Sequence, residues 1–362
     1  MASSTGAGIW SARLVSFKTA TEGPGRKIRA YGGGTANTGL MSQGVARTLA
    51  FGRRGISSMD KIYNDFTINV ATANGTGSQS ANLIILHSLF EMGVPVSGKN
   101  LFPSNISGLP TWFIIRASDR GYQAPGDETN IQIVMNKDTW EKDLASLDPG
   151  TIIIYNEDAK LPVDRDDCIC LGMPMTTMAR GISPKMARLM ANMYYVGGIA
   201  HLLGIEEDSI ASAVEQQFRG KENAISMNLQ AISEARSYAS ENWGDVSRYS
   251  VQSREKSDET FLIEGNEATA LGCIYGGINM LSWYPITPSS SLAESIIKWI
   301  PNLREGEDGG STCAVVQAED ELAAAGMVLG AGWAGGRGMT CTSGPGISLM
   351  SEFIGLFYFA EV

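Results

Sequence analysis

Two short segments late in the chain carry residue types that can act on a small anionic substrate or hold a buried acid. Tyr284-Pro-Ile-Thr-Pro-Ser289 sets the hydroxyls of Thr287 and Ser289 among prolines, directly ahead of a helical stretch. Both prolines fix the backbone and keep their predecessors out of helix. Rigid hydroxyls beside free helix N–H groups suit a carboxylate or phosphate oxygen, while a plain N-cap at Ser289 asks for the same turn. Glu319-Asp-Glu321 stands where a strand pattern meets the small-residue helix pattern Leu322-Ala-Ala-Ala-Gly-Met-Val-Leu-Gly-Ala331. Acids in a first helical turn complement the helix dipole. The small residues behind them also let another element close over one acid, so a buried carboxylate is a second reading. Nearer the start, Gly75-Thr-Gly77-Ser78 joins a strand pattern to a helix pattern. Gly75 and Gly77 there let backbone N–H groups approach an anion, or serve only a tight turn. The polar run Pro103-Ser104-Asn-Ile-Ser-Gly-Leu-Pro110 has the length of a functional loop.

Other reactive residues point to no site. His87 and His201 are the only histidines and lie within helical patterns. Cys168-Ile-Cys170 lacks the spacing of a structural zinc site. No Cys-x-x-Cys occurs, so no iron–sulfur cluster is expected on this chain.

The elements that must position these groups read as α/β. Strands are expected over 66–71, 111–117, 131–135, 151–155 and 168–172, and helices over 79–92, 137–147, 184–203, 206–218 and 221–241, with Ser78 as an N-cap. Such alternation predicts a parallel, doubly wound sheet. A mixed-charge linker is expected over 242–260. A second α/β pattern starts at Phe261, with helices over 266–276, 289–300, 320–334 and 347–359 and strands over 313–317 and 339–343. Three strands make a thin sheet, and the last helix has no strand after it, so this second unit is expected to be incomplete.

These segments together resemble the alpha subunit of the 2-oxoacid:ferredoxin oxidoreductase family, most closely its 2-oxoglutarate type. Asn74-Gly-Thr-Gly-Ser-Gln-Ser80, Phe102-Pro-Ser-Asn-Ile-Ser-Gly108 and Thr111-Trp-Phe-Ile-Ile-Arg116 are similar to its gamma-type domain. Gly265-Asn-Glu-Ala268, Tyr284-Pro-Ile-Thr-Pro288, Gln317-Ala-Glu-Asp-Glu321 and Thr342-Ser-Gly-Pro-Gly346 are similar to its thiamine-diphosphate pyrimidine-binding domain. The resemblance implies a gamma-type doubly wound domain over 59–241, then an incomplete pyrimidine-binding α/β domain over 261–362. It implies oxidative decarboxylation of a 2-oxoacid by thiamine diphosphate, with electrons leaving for ferredoxin and the acyl group for coenzyme A. Glu321 is then the carboxylate that bonds the aminopyrimidine ring nitrogen, with Glu319 as runner-up. Tyr284, Thr287 and Ser289 face the 2-oxoacid, Gly344 and Gly346 the cofactor, and Gly75, Gly77 and Ser104 the coenzyme A side. The diphosphate and Mg²⁺ pattern Gly-Asp-Gly…Asn is absent. A beta subunit is expected to carry that pattern and the iron–sulfur cluster, and this chain is expected to work only with it. Pyruvate and branched-chain acids stay open as substrates. So do two other functions: a partner-binding module without catalysis, and a non-oxidative thiamine decarboxylase.

Composition narrows the field. The 362 residues are 43% hydrophobic and 18% charged, with net charge −10. An acidic chain without a basic face argues against nucleic-acid binding, and no apolar run is long enough to predict a transmembrane helix. Five cysteines with no signal-peptide pattern point to a reducing compartment, the cytoplasm. Residues 1–58 differ from the rest, with eight Lys or Arg against the single acid Glu22 and no sustained period. They read as a transit peptide, a flexible arm, or upstream sequence ahead of a true start near Met59. The last is favoured, and the segment is expected to be disordered.

Overall fold

The computed structural model describes residues 8–13, 61–101, 109–163, 165–256, 259–307 and 309–362. Its strands are β1 (Gly8–Arg13), β2 (Ile62–Tyr63), β3 (Asp65–Ala73), β4 (Val96–Leu101), β5 (Pro110–Ser118), β6 (Ile131–Val134), β7 (Ile152–Asn156), β8 (Ile169–Met173), β9 (Tyr249–Ser250), β10 (Thr260–Glu264), β11 (Met280–Trp283), β12 (Ala314–Gln317) and β13 (Gly338–Met339). Its helices are α1 (Ser78–Glu91), α2 (Trp140–Ala145), α3 (Met175–Ile182), α4 (Ala187–Leu203), α5 (Glu207–Gln217), α6 (Glu222–Asn242), α7 (Gly265–Tyr275), α8 (Ser290–Leu303), α9 (Glu321–Trp333), α10 (Gly344–Leu349) and α11 (Ser351–Ala360).

The large sheet runs β10-β1-β4-β5-β3-β6-β7-β8. The alternating apolar set Phe66, Ile68 and Val70 meets Phe113, Ile115, Ile131, Ile133, Ile152 and Ile154 on one face, and α1 and α4 cover it. A smaller cluster of Val134, Leu144, Leu147 and Ile153 fills part of the opposite face. Helix α4 is buried nearly all round: Gly197 lies against the Ile232 carbonyl and Ala235 of α6, where a Cβ has no room.

The expectation of α/β architecture holds, but the first sheet is mixed. β3, β6, β7 and β8 are parallel, whereas β5 is antiparallel to both β3 and β4, and β1 is antiparallel to β4 and β10. Strand β4 was not expected, because Val96-Ser-Gly-Lys-Asn-Leu101 hardly alternates. Its Gly98 sits where Phe113 Cζ (2.9 Å) and Leu86 Cδ2 (3.0 Å) leave no space for a side chain. Gly8–Arg13 lies in the segment expected to lack structure, yet it pairs along all six residues with its neighbours in the sheet. The rest of 1–60 lies outside the described residues. β10, expected to open the second unit, joins the first sheet through β1.

The stretch expected as a linker from 242 packs instead on the first core. Trp243, Tyr249 and Val251 are buried, β9 pairs with β2, Arg254 bonds Asp119 (2.9 Å), and Lys256 bonds Glu91 (2.7 Å). The two aromatic anchors outweigh the polar composition around them. Gly77, not Ser78, is the N-cap of α1. Ser78 Oγ accepts from Thr72 Oγ1 (2.9 Å) inside the core instead. Helix α3 precedes α4 as a separate element, and the expected helix over 347–359 divides at Met350 into α10 and α11. The Gly344-Pro-Gly346 turn opens α10, since proline is tolerated in a first helical turn.

The second sheet runs β12-β11-β13, all parallel. Its core is Leu281 and Trp283 against Ala270, Ile274, Ala293, Ile296 and Ile300 of α7 and α8. No helix among the described residues is long and apolar enough to cross a membrane.

Candidate functional site at the carboxyl ends of the second sheet

Because β11, β12 and β13 are parallel, the segments after them leave from one edge. β11 is central. The chain moves from it through α8 to β12 on one side, then through α9 to β13 on the other. Right-handed crossovers in opposite directions put α8 and α9 on opposite faces and leave a crevice at the carboxyl end of the central strand. Three loops meet there: 284–289, 318–320 and 340–343. The Ala318 N–H donates to the Trp283 carbonyl (2.8 Å), and Cys341 Sγ lies 3.8 Å from the Ser289 carbonyl. Burial pushes the Cys341 thiol above its ordinary value, so it stays neutral there.

Glu321 is the first residue of α9 and is 6% exposed. Asp320 performs the capping, its Oδ1 accepting from the Ala323 N–H at 2.7 Å. Glu321 has no ion-pair or hydrogen-bond partner among the described residues. A carboxylate with so little exposure and no cation does little for stability. Such a group is a functional-site candidate. Glu319 is exposed. Gly346, in α10, is buried against Glu321. A Cβ there would collide with Thr342 Oγ1 and Thr342 Cβ and would lie 2.9 Å from Glu321 Cγ. Thr342 Oγ1 is itself buried without a hydrogen-bond partner. A carboxylate, an orphaned hydroxyl and a backbone stripped of its side chain therefore converge on one spot. The edge of a polar heteroaromatic ring needs an acceptor and a donor of this kind. The residues fit the pyrimidine half of thiamine diphosphate.

The structure brings the other expected residues to this edge unequally. Tyr284 is 37% exposed and Thr287 is exposed, while Ser289 is buried. Ser289 is the N-cap of α8, but its Oγ donates to the Ile286 carbonyl (2.9 Å) and makes no cap bond to the helix. Gly344 has open space around it. Gly75 and Gly77, both left-handed with φ of 82° and 79°, lie after β3 in the first sheet and not in this crevice. Beside Gly77, a methionine-rich cavity of about 160 Å³ is lined by Met186, Met190, Met193 and Met227. Ser104 lies outside the described residues.

Sequence reading missed two supports. Asn266 Nδ2 donates to the Pro288 carbonyl (3.0 Å) and to Ser291 Oγ (2.7 Å), tying the loop after β11 to the start of α7. Thr342 stands out in the sequence only as part of a motif. The pattern shows both residues, but only the fold shows what they touch.

Comparison with known proteins bears on the two units as wholes. Residues 67–238 match the family model described as pyruvate ferredoxin/flavodoxin oxidoreductase. Residues 271–362 match the thiamine-diphosphate-binding model of pyruvate flavodoxin/ferredoxin oxidoreductase. The alpha subunit of 2-oxoacid:ferredoxin oxidoreductase 2 from Aeropyrum pernix is 28% identical over 349 residues, covering 82% of this chain and 54% of that protein. The KorA subunit of 2-oxoglutarate synthase from Methanothermobacter thermautotrophicus is 47% identical over 97 residues, 27% of this chain and 24% of that one. The solved 2-oxoglutarate:ferredoxin oxidoreductase of Magnetococcus marinus, with 2-oxoglutarate, coenzyme A and succinyl-CoA bound, superposes with a TM-score of 0.69 at 29% identity. That match covers 80% of this chain and 49% of the other. The chain spans about half the length of the curated relatives that match most of it. With two family models in tandem and a relative matched over 82% of its length, this chain is similar to the alpha subunits of the 2-oxoacid:ferredoxin oxidoreductases.

Proposed function

We propose that this chain supplies the pyrimidine-side half of the active site in an enzyme that oxidatively decarboxylates a 2-oxoacid, 2-oxoglutarate first among candidates, to an acyl-coenzyme A. The observation that carries the reading is Glu321, a buried carboxylate without a cation, set against Gly346 and Thr342 where the strands end. When bound, thiamine diphosphate supplies an electron sink for the electrons released with carbon dioxide. The chain's own work is acid–base and positional. Glu321 bonds the aminopyrimidine ring nitrogen and holds a proton there, which favours the reactive tautomer. Thr287, beside Tyr284 and Ser289, takes the carboxylate or carbonyl oxygen of the 2-oxoacid. Gly344 and Gly346 bring backbone up to the cofactor. In the first unit, Gly75 and Gly77, with Ser104, form the coenzyme A side. A beta subunit carries the diphosphate site, Mg²⁺ and the iron–sulfur cluster, and passes electrons to ferredoxin in the cytoplasm.

The test is steady-state turnover of the alpha–beta complex with a viologen acceptor, 2-oxoglutarate being compared with pyruvate. Glu321→Gln keeps size and assembly but cannot hold the proton. Turnover is expected to fall by about a hundred- to ten-thousand-fold, the scale of general acid–base contributions. Wild-type turnover in Glu321→Gln together with loss in Glu319→Gln would mean that the other carboxylate acts. Full activity in both would remove the thiamine role from this chain.

A further inference from the structure

Among the described residues of the second unit, Thr342 carries the one side-chain oxygen or nitrogen that is both wholly shut from solvent and without a hydrogen-bond partner; the carboxylate oxygens of Glu321 are not shut off to that degree. A hydroxyl left so is a cost, since water has been taken away and nothing returned. Cys341, next to it, is buried and held at the Ser289 carbonyl. On the other side a Cβ placed on Gly346 would meet both Thr342 and Glu321. The hydroxyl thus lies near the side chain of Glu321, the one buried acid among the described residues of this unit, at the crevice where three loops meet. A group left unpaired in a native fold asks for an explanation, and a bound molecule that completes its hydrogen bond is one.

We propose that Thr342 is a second cofactor-contacting residue, whose hydroxyl hydrogen-bonds a polar atom of the aminopyrimidine ring beside the atom bonded by Glu321. The inference rests on the thiamine reading above and adds a residue to it. Two bonds from two strand ends fix the ring's rotation as well as its place, which one carboxylate cannot do. Gly346 is the condition for both, because any side chain there would occupy the hydroxyl's position.

The test uses the alpha–beta complex stripped of cofactor and titrated with thiamine diphosphate and Mg²⁺, with binding read by calorimetry and stability by thermal unfolding. Thr342→Val keeps shape and removes the hydroxyl, and is expected to weaken thiamine diphosphate by about tenfold or more. Thr342→Ser is expected to restore most of that affinity. Without cofactor, Thr342→Val should melt no lower than wild type, because an unpaired buried hydroxyl has been replaced by a methyl. A purely structural role predicts the reverse: a lower melting temperature in the stripped complex and unchanged affinity. Wild-type affinity in Thr342→Val would overturn the proposal and leave the hydroxyl to water. Should Thr342→Val not assemble, Thr342→Ala, smaller than the native side chain, reads the same comparison. Failure of the wild-type complex to bind thiamine diphosphate would instead overturn the thiamine reading itself.

Discussion

Replacing Gly346 by alanine adds one methyl group at the point where the site is tightest. The backbone there is not left-handed, so alanine strains no dihedral and the effect is one of contact alone. The new Cβ would overlap Thr342 Oγ1 and stand 2.9 Å from both Thr342 Cβ and Glu321 Cγ, closer than carbon atoms approach without repulsion. Turning the Thr342 hydroxyl away relieves one of the three contacts. The other two require the start of α9 or the loop after β13 to move. Overpacking of this kind costs about 1–3 kcal/mol, and a displacement of about 1 Å in a catalytic group can cost about a hundredfold in rate. Gly344, two residues earlier in the same short helix, has nothing within 4 Å of the point where a methyl group would stand, and it is the control. Alanine is the better helix former, so Gly344→Ala should be neutral or slightly stabilising. The assay is paired: urea unfolding of the chain, and turnover in the alpha–beta complex. Gly346→Ala should lose stability and activity together, while Gly344→Ala should keep its stability. Equal stability of the two variants would refute the close packing of Gly346 on Glu321.

Asn266→Ala removes both bonds to the loop after β11. It should cost about 1–3 kcal/mol and raise the KM for the 2-oxoacid more than it lowers kcat, as steady-state kinetics would show. In the first unit, Gly77→Ala forces a side chain into left-handed backbone, costing about 1–2 kcal/mol, and sets it 2.9 Å from Leu189 Cδ2. Gly121→Ala, also left-handed at φ 76° but in open space, should lose only the backbone part in the same unfolding assay. Burial holds the His87 imidazole below the ordinary histidine value, against a smaller upward pull from Glu91. The unfolded chain therefore binds that proton more readily than the folded one. The stability it affects is whole above about pH 6.5 and falls as the pH drops below that. Melting curves between pH 7.5 and 5 should show His87→Gln losing less stability than wild type.

What could be read along the chain was whatever is local to it. Prolines at 285 and 288 mark an extended loop before a helix, and an acid followed by three alanines marks a strand-to-helix junction that packs tightly; both patterns lie within a few residues. Glu321 was legible on that ground, together with its resemblance to thiamine enzymes. The place of Thr342 was not, because it and Glu321, 21 residues apart, both come up to Gly346 only once β13 is seated beside β11. Asn266 reaches across 22 and 25 residues for the same reason. Strand direction in the first sheet was not legible either, because a period of two marks a strand without saying which way its neighbour runs. The polar surroundings of Trp243 and Tyr249 hid two core residues, since composition averages over a window and a core needs only its anchors.

Local legibility and long-range invisibility meet in the division between Asp320 and Glu321. Two adjacent acids at a helix start look interchangeable in sequence, and either would satisfy the helix dipole. The structure separates them by direction. Asp320 keeps extended backbone, with φ −153° and ψ 178°, and turns its carboxylate back to the Ala323 N–H. Glu321, one residue on and already helical, is carried inward to Gly346. Since α9 crosses to β13 on the opposite face from α8, its first turn is aimed at the loop after β13, where Thr342 stands. The capping residue therefore anchors the helix end while the carboxylate of the next residue is left without a partner. The carboxylate is placed by a strand end, a helix start and a glycine at once, and its position does not depend on any partner of its own.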